Sequence, residues 1–167
     1  MKPMKGRRKG KAKDEGLSHV DASGDARMVD VGPKAATARR ARASGSVRMK
    51  LETRRRIEAG DLPKGSVLGT ARIAGIQGAK STASLIPLCH PLPIENVSVD
   101  FAWEEVPGSD EARLRIDATA SVTAKTGIEM EALTAVAVAA LTVYDMAKAV
   151  DKGMVIEGIR LVEKTKG

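Results

Sequence analysis

Apolar and polar residues alternate along two consecutive stretches of the chain. In residues 97–104 the apolar set is Val97, Val99, Phe101 and Trp103; in residues 113–123 it is Leu114, Ile116, Ala118, Ala120 and Val122, interleaved with Arg113, Arg115, Asp117, Thr119, Ser121 and Thr123. A period of two puts all of one set on a single face of a strand, and Pro107-Gly108 between the stretches predicts an antiparallel hairpin. Residues 128–152 contain no glycine or proline, so "EMEALTAVAVAALTVYDMAKAV" predicts a long, mostly buried helix with Thr126 as its N-cap. Its uncharged run, residues 132–144 between Glu131 and Asp145, is shorter than the roughly 20 residues that cross a bilayer, so no membrane span is expected. A last strand is predicted from residue 155 to about residue 162. Upstream, residues 47–57 begin strand-like and turn into a short helix ended by Gly60 and Pro63. The run "SVLGTARIAGIQGAKSTASLI" sets Val67, Ile73, Ile76, Leu85 and Ile86 among small residues and predicts tightly packed, mostly helical chain. Strands and helices without regular βαβ alternation point to an α+β sandwich, with helices on one face of a mainly antiparallel sheet.

Composition bounds this picture. The 167 residues are 43% hydrophobic, enough for one domain's core, but contain only one Trp, one Tyr and one Phe. The core must therefore be built from Ala, Val, Ile, Leu and Met, which lets elements approach closely. A single cysteine excludes an internal disulfide, and no signal-peptide pattern is present, so a cytoplasmic location is expected. The net charge of +7 is concentrated at the start: Lys2, Lys5, Arg7, Arg8, Lys9, Lys11 and Lys13 supply seven positive charges with no acid in residues 1–13. Removing them leaves 21 Lys and Arg (28 less 7) against 21 Asp and Glu, so the remainder is formally neutral. Residues 1–16 read as a basic, disordered extension and residues 17–167 as a single domain. No aromatic RNA-binding pattern accompanies the basic tail, so a nucleic-acid partner is not expected.

Chemistry concentrates in two places. "IPLCHPLP" (residues 86–93) holds the lone Cys89 beside His90, fenced by prolines. Cys89, His90 and His19 are too few for a structural zinc site, so no metal is assigned. A Cys-His nucleophilic pair is disfavoured because neighbours on an extended chain point to opposite sides. A buried Cys89 with His90 satisfied in a loop, and a proline-stiffened wall presenting His90 to a ligand, both remain open. "GDLPKGS" (residues 60–66) has glycines at P-loop spacing, but its lysine precedes the second glycine; Gly69, Gly75 and Gly78 do not form a dinucleotide fingerprint either. A bound phosphate would have to be held by separate Lys and Arg side chains. On the long helix, Asp145 and Lys148 share a face, as a surface ion pair or an acid/base couple. Glu129 and Glu131, at its other end, suit the N-terminal dipole by themselves. Fourteen residues separate Glu131 from Asp145, which places them within roughly 40° of one helix face but about 21 Å apart along the axis. No small ligand touches both from one helix; a site that used both would need a second subunit.

Five motifs in order, "MVDV" (28–31), "ARIAGIQGAK" (71–80), "IPLCHPL" (86–92), "KTGIEMEALTA" (125–135) and "YDMAKAV" (144–150), give the chain from about residue 17 onward a resemblance to the MoaC family of molybdenum cofactor biosynthesis. The resemblance implies a ferredoxin-like α+β fold and a homohexamer, a trimer of dimers, with active sites between subunits. It implies a lyase, cyclic pyranopterin monophosphate synthase, acting on a 3′,8-cyclised dihydroguanosine triphosphate formed from GTP. The skeleton is rearranged to a pyranopterin, a cyclic phosphate closes and pyrophosphate leaves. Such chemistry needs cations for the triphosphate, and proton donors and acceptors for ring opening and closure. Positions matching the family make Asp145, Lys148 and Lys64 the expected catalytic groups. Leu88, Cys89, His90, Met130, Glu131 and Glu129 are expected to line the substrate pocket, with Arg39 and Lys164 helping to hold substrate and Lys80 as a further phosphate ligand. No cofactor is required by these residues, although magnesium accompanying the triphosphate is compatible with them.

Two features depart from the family pattern. Its glycine-rich C-terminal tail is absent from this chain, which stops at Lys164-Thr165-Lys166-Gly167, and the basic extension before Leu17 is not part of it. A different class of function, a non-enzymatic anion- or RNA-binding module, would use the basic tail together with the arginines between Arg39 and Arg56.

Overall fold

The computed structural model describes residues 25–167; the basic extension and His19 lie outside the described residues. The elements run β1 (Thr37–Lys50), α1 (Leu51–Ala59), α2 (Val67–Lys80), α3 (Thr82–Leu85), β2 (Asn96–Glu105), β3 (Glu111–Ala124), α4 (Glu129–Ala147) and β4 (Val155–Lys166). The sheet order is β2-β3-β1-β4, antiparallel throughout, which is the ferredoxin-like arrangement. α2 and α4 pack against each other, and both lie on the same sheet.

Register explains which face they cover. β1 and β3 pair Ala43 with Ala118, Gly45 with Ile116 and Val47 with Leu114, and all of these are buried under the helices. The expected apolar set of β3, Leu114 to Val122, is the core face, no member more than 1% exposed. Burying each larger member contributes about 1.5–3 kcal/mol. The opposite sheet face carries charges that pair across strands, including Arg115 with Glu104 and Arg42 with Asp117.

The helices come close because small residues face the contact. A Cβ on Gly75 would lie 2.9 Å from the Ala135 carbonyl oxygen, and one on Gly78 would lie 2.7 Å from Val138. On the α4 surface opposite, Gly75 and Gly78 meet Ala135, Val138 and Ala139, of which both alanines are fully buried. Of the large residues expected to pack here, Val67 is buried and Ile76 packs against the core, whereas Ile73 is 65% exposed and Leu85 55% exposed. α4 is apolar and long enough to cross a membrane by length and composition, but half of that stretch is buried inside the protein, as in a core helix.

Three boundaries differ from those predicted. β1 starts at Thr37, ten residues before the predicted strand-like stretch, with Arg40, Arg42 and Arg48 facing outward and Arg39 on the inward side with Ala41, Ala43, Gly45, Val47 and Met49. α4 starts at Glu129 behind Ile128, without a side-chain cap, so Thr126 is not its N-cap. The Glu129 carboxylate instead folds back over Gly127, into the space a Cβ there would fill. β4 continues to Lys166, past the predicted end.

Candidate active site

The candidate residues form two groups at opposite ends of α4. At its N-terminal end a cavity of about 450 Å³ is lined by Leu88, Cys89, His90, Glu129, Met130 and Glu131. The 86–93 loop forms one wall and the first turn of α4 the other. An adjoining cavity of about 230 Å³ brings Arg39 from β1 and Lys164 from β4 against Glu129, so Glu129 borders both. Lys164 Nζ lies 3.2 Å from Glu129 Oε1, and Arg39 Nε donates to the Ala124 carbonyl at 3.0 Å.

A segment that sequence reasoning did not place in the site closes over this wall. Val29, Val31 and Lys34 line the larger cavity. His90 Nε2 is 3.0 Å from the Val29 carbonyl oxygen, and Lys125 Nζ donates to the Gly32 carbonyl at 2.7 Å. A carbonyl only accepts, so the Nε2 of His90 carries the proton in this contact and Nδ1 is left to accept when the ring is neutral. The motif "MVDV" marked the segment, but nothing in it signalled a backbone carbonyl waiting for an imidazole.

Charge behaves in one way here. Glu131 is 3% exposed; burial pushes its carboxyl above the usual range and the neighbouring Glu129 adds to this, against a hydrogen bond from its own backbone N–H. Burial, followed by the nearby Glu131, also raises the Cys89 thiol. A thiol kept protonated is a poor nucleophile, and Cys89 stands in the wall of the cavity.

At the C-terminal end the arrangement is reversed. Asp145 Oδ1 is 2.7 Å from Lys148 Nζ, and Oδ2 is 2.6 Å from Lys64 Nζ, which also donates to the Asp145 carbonyl at 3.2 Å. Hydrogen bonds from Lys148 and then Lys64 lower the Asp145 carboxyl to about 2, and the same pairing raises Lys148. The cluster is open to solvent, with each side chain about half exposed. A cavity of about 370 Å³ beside it is lined by Lys64, Tyr144, Asp145, Lys148, Ala149 and Lys152. Lys80 joins neither group; it is exposed in the last turn of α2. Among the described residues no cluster of three or more His, Cys, Asp or Glu is arranged to hold a metal ion.

The sequence pattern of the MoaC family matches residues 28–167, which include every element and both groups just described. The chain belongs to the MoaC family. A protein of Novosphingobium aromaticivorans named cyclic pyranopterin monophosphate synthase is 60% identical over 90% of this chain and 92% of its own length. Proteins of the same name from a Nostoc species and a Methylobacterium species are 56% and 59% identical over 90% of this chain, covering 88% and 92% of their own lengths. MoaC membership therefore spans the fold and both polar clusters.

Proposed function

We propose that the chain is a cyclic pyranopterin monophosphate synthase of molybdenum cofactor biosynthesis, acting in the cytosol on the cyclised guanosine triphosphate and releasing pyrophosphate. The observation that carries this reading is the exposed Asp145 carboxylate clasped between the ammonium groups of Lys64 and Lys148. Closing a cyclic phosphate forms a bond from a substrate hydroxyl oxygen to the α-phosphorus and breaks the bond to the departing pyrophosphate. The hydroxyl proton needs an acceptor, and the leaving group needs positive charge. Asp145, ionised throughout the neutral range, is the acceptor; Lys148 and Lys64 take the phosphate oxygens.

The two functions reinforce each other. When phosphate oxygens draw the lysines off, Asp145 loses the partners that depress its pKa and becomes a stronger base. At the other end of α4, His90 and the readily protonated Glu131 are suited to proton transfers on the purine-derived rings, with Leu88, Cys89 and Met130 as apolar wall and Arg39 and Lys164 as anion ligands. Lys80 is kept as an outlying phosphate ligand. Magnesium bound to the triphosphate would enter as part of the substrate.

Because the two ends lie about 21 Å apart, one protomer supplies only half of this set. We propose that the complete site forms where the Asp145 end of one protomer meets the His90 end of another, in a homohexamer assembled as a trimer of dimers. The alternative of an anion-binding module is less well supported, since Arg42, Arg48, Arg54, Arg55 and Arg56 each face a carboxylate. The test is an assay of pyrophosphate release and pterin formation from the cyclised triphosphate. Equal yields of both are expected; no pterin, with polyanion binding that survives removal of residues 1–16, would favour the binding module.

A further inference from the structure

The cavity beside Asp145 contains one cation that the resemblance did not bring to light. Lys152 lines it together with Lys64 and Lys148. Asp145 places one carboxylate oxygen on each of those two lysines. No carboxylate among the described residues forms an ion pair with Lys152, whose side chain is exposed. Three lysines against one aspartate leave the cavity with a formal charge of +2, and Lys152 is the cation there that a polyanion engages without breaking an existing ion pair.

The backbone carrying Lys152 is fixed on both sides. Tyr144 donates from its hydroxyl to the Lys152 carbonyl at 3.2 Å. The preceding residue, Asp151, is 2% exposed and accepts from Lys50 N at 2.9 Å, Thr53 Oγ1 at 3.0 Å and Gly153 N at 3.0 Å. Burial opposes ionisation of Asp151, but these donors together outweigh it and its pKa is lowered, so the anchor is a carboxylate at neutral pH. The Val150 and Asp151 N–H groups both return to the Ala147 carbonyl, closing the turn. An ordinary surface lysine rides on mobile chain; this one projects from a turn tied to α4, β1 and α1. Such preorganisation lowers the entropy lost when the ammonium engages a ligand.

We propose that Lys152 is a third phosphate-binding residue of the Asp145 cavity, holding the terminal phosphates of the triphosphate and the pyrophosphate they become. This rests on the synthase reading above. Its role is anion capture, whereas Lys64 and Lys148 must first be drawn from Asp145.

The experiment pairs calorimetry with inorganic pyrophosphate and steady-state kinetics on the full chain, comparing wild type, Lys152→Met, Lys152→Arg and Arg55→Met. Arg55 is an exposed arginine on α1, so its variant removes one positive charge elsewhere. Lys152→Met should weaken pyrophosphate binding and raise KM by about tenfold, with kcat changed by no more than about threefold. Lys152→Arg should recover most of the loss, and Arg55→Met should match wild type. Wild type that fails to bind pyrophosphate, a Lys152→Met variant within twofold of wild type in both readouts, or an Arg55→Met loss of equal size would overturn the proposal. Wild type without turnover would refute the synthase reading instead, while calorimetry would still judge Lys152.

Discussion

The two ends of α4 present carboxylates in opposite environments. Glu131 in the first turn is buried beside another acid, and its pKa is raised. Asp145 near the last turn is open to water, gripped by two ammonium groups, and its pKa falls to about 2. One helix thus holds a carboxyl that gains a proton easily and another that gives one up easily, and the difference comes entirely from the neighbours. Pairs of titratable groups driven apart in this way are how a single protein keeps both a proton donor and a proton acceptor at one pH. Here the fold also keeps them apart in space, because the helical residues 132–144 lie between them, with Ala132, Ala135, Val136, Ala139, Ala140 and Val143 buried.

Substitutions that erase the difference test it most severely. Asp145→Asn keeps the shape and removes the proposed base, and should lower turnover on the cyclised triphosphate by about 100-fold or more while leaving the oligomer intact in sedimentation. Near-normal turnover would remove Asp145 from the chemistry. A smaller effect, on stability, is expected at the other end. Glu131 has a folded-state pKa above its unfolded value, so between the two the native state binds more protons and stability falls as pH rises. Glu131→Gln should therefore melt higher than wild type at pH 7, with the advantage shrinking as pH drops toward 4. An unchanged or reversed difference would show that the buried carboxylate carries no such cost. The subtlest test reads one titration: Lys148→Ala removes the first cause of the Asp145 depression, so its carboxyl carbon signal should titrate above the wild-type midpoint of about 2. A midpoint that does not move would assign the depression to Lys64 alone.

What was legible in the sequence follows the same physical lines. The hairpin was visible because β3 alternates strictly and β2 alternates except at Ala102, and Leu114, Ile116 and Val122 did become core. The first half of β1 was not, because "TARRARASGS" combines residues with weak strand preference; pairing with β3 on one side and β4 on the other imposes the conformation. Thr126 has the chemistry of a cap, yet Gly127 gives the Glu129 side chain room to fold back, and the helix starts later. No breaker marks the end of α4 at Ala147, since the chain is drawn away by the hydrogen bonds of Asp151, residues that local pattern cannot relate. Within the candidate site, Asp145 and Lys148 were readable from helical spacing. Lys64 stands 81 residues from Asp145, and only the family resemblance associated them. Val29 was beyond reach for a similar reason: its contribution to His90 is a backbone carbonyl, which every residue possesses.

The central claim, that each working site joins the Asp145 end of one protomer to the His90 and Glu131 end of another, is tested most directly by mixing two inactive variants. Asp145→Asn and Glu131→Ala, co-expressed with different tags and purified through both, should recover roughly a quarter of wild-type activity, since that share of shared sites draws an intact half from each protomer. Mixed oligomers that form but stay as inactive as either variant alone would place the whole site within a single chain and contradict the account.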